Sequence, residues 1–184
     1  MAKRDKDVIT LGSGKLYLAA FNESMPTVES LCTDENLLGK IKGGASLEYT
    51  METFEEKDDL GTVSKIIVTK EEAILKCGLI TWNGATLQKI IDRCTVTEDT
   101  TGKKRTTKIG GAGNAQGGNY AICFFHEDKT DGNVWLLIKG TNTAGFTLTF
   151  ATEEGTLIEP EFKAMPHDDA GTLIELIEET GTST

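Results

Sequence analysis

The 184-residue sequence contains no apolar run approaching the ~20 residues that a membrane-crossing helix needs, so no candidate transmembrane helix is legible in it. Its N-terminal stretch, MAKRDKDVITLGSGK, is charged but lacks a hydrophobic region and a cleavage site. It therefore does not read as a secretory signal, and folding in the cytosol where the chain is made is the expectation. Histidine is scarce. His126 and His167 both sit in polar stretches, neither has a second ligand at metal-binding spacing, and both read as solvated turn residues. The four cysteines, Cys32, Cys77, Cys94 and Cys123, are widely scattered with no C-x-x-C pair. Reduced, buried or half-buried thiols are expected, not disulfides or metal ligands. A basic surplus is also missing. The net charge is −10, and residues 153–184 carry nine acidic side chains against the single Lys163, a surface that repels nucleic acid.

Catalytic motifs are equally sparse. Gly12-Ser13-Gly14-Lys15 looks like the end of a phosphate loop, but Leu16 stands where Ser or Thr is required and a strand follows instead of a helix. The glycine-rich 110–118 segment, GGAGNAQGG, has Gln116 in place of the third fingerprint glycine. The acid pairs Asp58-Asp59 and Asp168-Asp169 are sequence neighbours whose side chains diverge in a strand or loop, so a solvated face is the simpler reading. No enzymatic activity and no cofactor are expected.

What the sequence does contain is alternation. An apolar fraction of 38% and an aromatic fraction of 7% fit one domain spanning residues 1–184, with too few residues for two. In 37–63, Ile41, Ala45, Leu47, Tyr49 and Met51 alternate with Ser46, Glu48, Thr50 and Glu52, the pattern of a strand with one apolar face. Gly43 and Gly44 inside that run predict a bulge or a close approach by another backbone. Beyond Met51 the pattern thins over Glu52, Thr53, Phe54, Glu55, Glu56, Lys57, Asp58 and Asp59. Like charges at that density oppose compaction, so this segment, with Phe54 as its lone large apolar side chain, is expected to project and stay mobile within an extended loop spanning 51–61.

Further strands are expected at 8–12, 15–20, 64–69, 72–81, 94–98, 103–109, 120–125, 134–139, 144–151, 157–165 and 173–177. Turns are expected at 12–14, 99–102 and 130–133. Residues 1–6 read as a polar arm, 22–36 as a loop, and 110–118 as a flexible glycine loop. One helix is expected, capped by Asn83, with Leu87, Ile90, Ile91 and Cys94 at i, i+3, i+4 and i+7. About three turns long, it should cover an open end or face of the sheet. About a dozen short strands and one helix make an all-β dominated (α+β) domain, a β-sandwich or barrel. So many sheet edges with so little to cover them invite pairing between copies of the chain.

Several stretches together carry a resemblance: DVITLGSGKLYLAAF at the start, the G-x-I-K-G-G-A-S-L-E-Y strand at 39–49, D-D-L-G at 58–61, T-W-N at 81–83, and FKAMPHDDAGTLIELIEE at 162–179. In order and texture the chain resembles the major tail proteins, the tail tube subunits of long-tailed bacteriophages. These are kin to the tube proteins of type VI secretion and of tail-like bacteriocins. The resemblance implies a β-sandwich flanked by a helix, with six copies joined into a ring whose inner sheets form a continuous barrel. Rings would stack through residues 51–61, that is through Glu52, Phe54, Glu55, Glu56, Lys57, Asp58 and Asp59, helped by N- and C-terminal arms. The implied partners are further copies of the chain, a tape-measure protein, and tail tip and terminator proteins. DNA would pass through an acidic lumen without specific binding, and no membrane insertion is involved. The place would be a virion tail assembled in the host bacterial cytoplasm.

Two other readings compete. One is a monomeric β-sandwich that binds carbohydrate or a receptor on a platform of Trp82, Tyr120 and Trp135. The other is a calcium-dependent module that uses the acidic loops.

Overall fold

The computed structural model describes residues 10–181. The polar arm at 1–6 and Val8 of the first expected strand lie outside the described residues. Nine strands are present among the described residues: β1 (Lys15–Ala20), β2 (Leu37–Lys57), β3 (Ser64–Leu79), β4 (Cys94–Asp99), β5 (Lys104–Ile109), β6 (Tyr120–His126), β7 (Val134–Asn142), β8 (Glu161–Met165) and β9 (Glu175–Glu178). Two short helices, α1 (Val28–Leu31) and α2 (Gly84–Ile90), complete the set with a single 3-10 turn at Ala112–Asn114. The domain is all-β dominated, as its alternating sequence predicts.

Strand order makes the large sheet a ring. The hydrogen-bonded sequence β6-β1-β2-β3-β8-β7 closes because β6 and β7 also pair, and β9 hangs on the free half of β7. Every pairing is antiparallel. Ring closure removes most of the unpaired edge that an open sheet of this size would expose. The second sheet is the β4–β5 ribbon alone.

Side-chain alternation sorts the strands into two packed faces. Leu16, Leu18, Leu75, Ile122, Leu136, Ile138 and Phe162 join one cluster, the filling of the barrel. Their chain neighbours Tyr17, Ala121, Cys123 and Leu137 point the other way and gather round Leu31 of α1. Fully burying each aliphatic or aromatic side chain of this kind stabilises the fold by about 1.5–3 kcal/mol. Phe162 is among the largest of those buried completely.

Helix α2 forms where it was expected but is shorter. The Asn83 side chain accepts a hydrogen bond from the Thr86 amide at 3.1 Å, a cap that contributes about 1 kcal/mol. Leu87 and Ile90 then pack on the barrel filling. The helix stops after seven residues, and Cys94 opens β4 instead of forming a third turn. The cause is the glycine-rich segment, which is anchored and not free. The Gln116 amide donates to the Asp92 carbonyl at 2.8 Å, and the Gly110 amide donates to the Arg93 carbonyl at 2.8 Å. The Gly117 amide donates to the Asp92 carboxylate at 2.9 Å. These bonds draw 92–93 into an extended course.

Other expectations need correction. The 22–36 loop carries α1, capped by Thr27 and seated by the buried Leu31. Residues 144–151 form no strand: Phe146 and Leu148 pack against the barrel filling while Phe150 is exposed. Residues 10–14 form no strand either, so Gly12-Ser13-Gly14 turns no hairpin within the described residues. Both histidines are buried, not solvated. His126 is 5% exposed, with Nδ1 2.9 Å from the Ser13 carbonyl. The His167 side chain is 5% exposed, with Nε2 4.0 Å from Glu175.

Candidate assembly surface

β2 and β3 are far longer than the other strands, at 21 and 16 residues. Together they make one hairpin whose outer half leaves the barrel. Its base is the Gly43-Gly44 stretch. Ile41 faces Leu79 and Ala45 faces Cys77, so Lys42, Gly43 and Gly44 oppose Gly78 alone. This is the expected bulge. Both glycines take positive φ, 85° and 81°, a region that costs L-residues energy. A Cβ at either would meet nothing within 4 Å. The close backbone approach is across the pair, at Gly78, where a Cβ would lie 2.6 Å from the Lys42 carbonyl oxygen.

Past the bulge the pairing runs unbroken from Ala45↔Cys77 to Glu52↔Lys70. It then skips Thr69 and continues from Thr53↔Val68 to Lys57↔Ser64. Residues 51–57 are therefore strand, not a mobile loop. The charges expected to push the segment away from the domain are instead accommodated on a ladder. The Lys70 ammonium lies 2.8 Å from Glu52, Lys57 lies 3.1 Å from Glu55, and Lys163 of β8 lies 2.7 Å from Glu72. The bond to Lys163 holds the Glu72 carboxyl below its ordinary range, and the bond to Glu52 raises Lys70. Tyr49 donates its hydroxyl proton to Glu71, which raises the phenol above its usual value.

Only 58–63 is a turn. Asp58 accepts hydrogen bonds from the Thr62 hydroxyl at 2.6 Å and the Val63 amide at 2.7 Å. The first of these is the larger cause of its depressed pKa, the second the next. Asp59 stands beside it in the turn, exposed.

Register fixes which side chains share a face. Leu75 and Ala73, both fully buried, sit opposite Leu47 and Tyr49. Met51 with its partner Glu71 shares this face, and across the skip at Thr69 it continues through Val68 and Ile66, opposite Thr53 and Glu55, to Lys57. The apolar face that fills the barrel thus runs out past its rim. There Met51 is 56% exposed and Ile66 61% exposed. The opposite face carries Glu48, Glu52, Glu56, Lys65 and Lys70, with Phe54 and Ile67 paired among them. Phe54 is therefore not the lone apolar group of the arm, as the sequence alone had it.

Among the described residues both edges of the hairpin lie open. β1 pairs with β2 only as far as Lys40, and β8 pairs with β3 only at Ile74–Lys76. Residues 41–57 and 64–73 thus offer backbone donors and acceptors outward. Residues 48–72 carry eight acidic side chains against three lysines, a net of −5 out of the chain's −10.

No protein-family model matches this chain, and no curated protein matches it. Among the solved structures similar to this chain is the cryo-EM structure of the anti-feeding prophage cap, described as the AFP tube-terminating cap, with a TM-score of 0.45 and 9% identity over 95% of this chain and 97% of that one.

The nine residues singled out from the sequence all fall on this hairpin. Gly43 and Gly44 mark its base, Glu52, Phe54, Glu55, Glu56 and Lys57 lie on β2, and Asp58 and Asp59 lie in the turn. What the sequence reading missed is the return strand. Ile66, Ile67 and Val68 are as exposed as their β2 partners and belong to the same surface. Their β-branched run was the signal, read there only as a separate short strand. The three aromatic residues of the rival platform divide between clusters. Trp82 and Tyr120 pack on the barrel filling, whereas Trp135 packs with the other cluster and stacks on Phe125 at 5.3 Å. Among the described residues no three acidic, histidine or cysteine side chains group as a metal site.

Proposed function

We propose that this chain is a structural subunit of a phage-type tail tube, and that the β2–β3 hairpin is its principal contact with other copies. The observation that carries this reading is the hairpin's surface: exposed apolar residues (Met51, Val68 and Ile66) on the face that fills the barrel, interspersed with Glu71, Glu55 and Lys57, between two open strand edges, on an arm that projects from an otherwise closed domain. A surface so built costs solubility in isolation and is explained when another chain covers it. The resemblance to major tail proteins in sequence texture supplies the form of assembly. Six copies close a ring, rings stack through the hairpin, and the acidic chain lines a lumen through which DNA slides during genome ejection, since carboxylates repel phosphate. On this reading the partners beyond the chain itself are a tape-measure protein and the tip and terminator proteins of the tail, in a virion or similar particle.

The test must respect the pairing. Removing residues 52–59 alone would strand their β3 partners, so an Asn-Gly turn should replace 52–70, leaving Met51 opposite Glu71. Negative-stain microscopy across a concentration series then compares parent and truncated chains. Rings or tubes of uniform width from the parent, with a folded but unassembled truncated variant, are the expected outcome. A parent that stays monomeric throughout, or tubes made equally well by the truncated chain, would overturn the reading.

A further inference from the structure

Cys32 and Cys123 lie 91 residues apart in sequence, yet their Sγ atoms are 3.6 Å apart and hydrogen-bonded. Cys123 is on the outward face of β6, fully buried beneath the 21–36 segment, and Cys32 caps the C-terminal end of α1. Both belong to the cluster seated around Leu31. Backbone bonds tie the segment at its two ends. The Phe21 amide donates to the Asn119 carbonyl at 2.9 Å, and the Leu18 amide donates to the Asn36 carbonyl at 2.8 Å. Between those ends it rests on apolar contact, with the Lys89 ammonium donating to the Glu35 carbonyl at 3.4 Å.

We propose that Cys32 and Cys123 form an intramolecular disulfide when the protein meets a small-molecule disulfide oxidant, fastening the α1 segment to the barrel wall. The two sulfur atoms are about 1.5 Å farther apart than in a disulfide bond, a gap that side-chain rotation spans. The pair is also asymmetric in the way exchange chemistry needs. Cys32 is only partly buried, so an oxidant reaches it. Its hydrogen bond to Cys123 holds its pKa below the ordinary thiol value, whereas that same bond, together with burial, drives Cys123 upward. The thiolate is the attacking species, and it forms first at Cys32.

With oxidised glutathione the steps balance. The Cys32 thiolate attacks one oxidant sulfur, the oxidant's S–S bond breaks, and one glutathione thiolate leaves. Cys123 then gives up its proton to solvent, and its sulfur attacks Cys32 Sγ, expelling the second glutathione thiolate. Two protein thiols are oxidised and one glutathione disulfide is reduced to two thiols. Cys77 and Cys94 stay out of the reaction. Both are buried within the barrel filling, and burial pushes the Cys77 thiol up to about 12.

The experiment treats the folded full-length chain with oxidised glutathione, quenches in acid, and counts thiols and maps peptides under denaturing conditions. The expected result is loss of two of the four thiols, a mass lower by two hydrogens, and one linked peptide pair containing Cys32 and Cys123. The rate should be independent of protein concentration. A rise in melting temperature that dithiothreitol reverses should accompany it. Cys32→Ser, a change at a partly exposed position that leaves the buried Cys123 in place, should retain its remaining thiols under the same treatment. Four thiols surviving in the parent would overturn the proposal. So would a stable glutathione adduct on Cys32 with Cys123 still free, or a Cys32–Cys32 link between two copies. None of these outcomes depends on whether the chain builds tubes.

Discussion

Replacing Met51, Ile66 and Val68 together by threonine separates a contact surface from a core. Threonine keeps the β-branched preference for strands and removes most of the apolar area. All three residues are about half exposed or more, at 56%, 61% and 51%. The isolated domain should therefore lose little, within about 0.5 kcal/mol for each substitution. The assembled state should lose more. Full burial of such a side chain stabilises by about 1.5–3 kcal/mol, and roughly half of each side chain remains to be covered, which gives about 1 kcal/mol apiece. Allowing for the methyl that threonine retains, the three together should cost about 2–3 kcal/mol per contact, a roughly 30- to 150-fold weaker association. Sedimentation velocity over a concentration series reads the onset of assembly, and calorimetry reads the melting temperature of the unassembled chain. The expected outcome is an onset moved to higher concentration by about that factor with an unchanged melting temperature. Equal onsets for parent and variant would refute the stripe as a contact. A melting temperature lowered on the scale of a core truncation would refute its description as surplus to the domain.

Gly44→Ala should destabilise the chain by about 1–2 kcal/mol in urea unfolding, because its φ of 81° strains an L-residue while nothing within 4 Å opposes the new methyl. A loss several times larger would mean that the bulge is packed, contrary to the open space beside it. The hairpin turn should respond to acid. The Thr62 hydroxyl and Val63 amide hold the folded Asp58 carboxyl below its ordinary pKa. Its contribution to folding is thus present above the unfolded value of ~3.9 and is lost as pH falls through the lower folded value. Thr62→Val removes the larger of the two causes, so the Asp58 carboxyl titration followed by NMR should move up toward the ordinary midpoint; an unmoved midpoint would refute the assignment.

The parts of the fold that were legible in the sequence are those decided by local pattern. Alternation in KLYLAA and YAICFF gives β1 and β6 to within a residue, and Asn83 marks the start of α2 by its own side-chain chemistry. The parts that were not legible depend on partners distant in sequence. Residues 144–151 alternate as well as any strand, yet no strand pairs with them among the described residues, and β8 already occupies that half of β7. Residues 52–57 look like a solvated loop because six of the eight residues from Glu52 to Asp59 are charged. Their strand character comes from Ser64–Lys70 across the ladder, and no window on one strand contains the other. His126 and His167 misled for the same reason, since burial by Ser13 and by the 168–175 stretch cannot be seen from their polar neighbours. Cys32 and Cys123 are the sharpest case: a spacing that argues against pairing is brought to contact by α1 folding over β6.

The hairpin's geometry also sets what its contact must supply. Beyond Tyr49↔Ala73 neither strand has an outer neighbour among the described residues, and eight residues of β2 run on to Lys57, roughly 25 Å of two-stranded ribbon. Such a ribbon alone is marginal in water. Its exposed ion pairs contribute little each, commonly less than about 1 kcal/mol and less in salt. The outer half must therefore open more readily than the barrel, which places it at the low end of the chain's local stabilities. A contacting copy that pairs with an open edge or covers the stripe would gain apolar burial while stabilising a ribbon whose strands are already in register, so most of the ordering cost of a disordered arm does not arise. The net −5 across residues 48–72 works against that gain when two hairpins approach. The balance then falls on Leu47, Tyr49, Met51, Val68 and Ile66, the apolar residues that carry the face of the barrel filling past the rim, beside Glu71 and the Glu55–Lys57 pair on the same face.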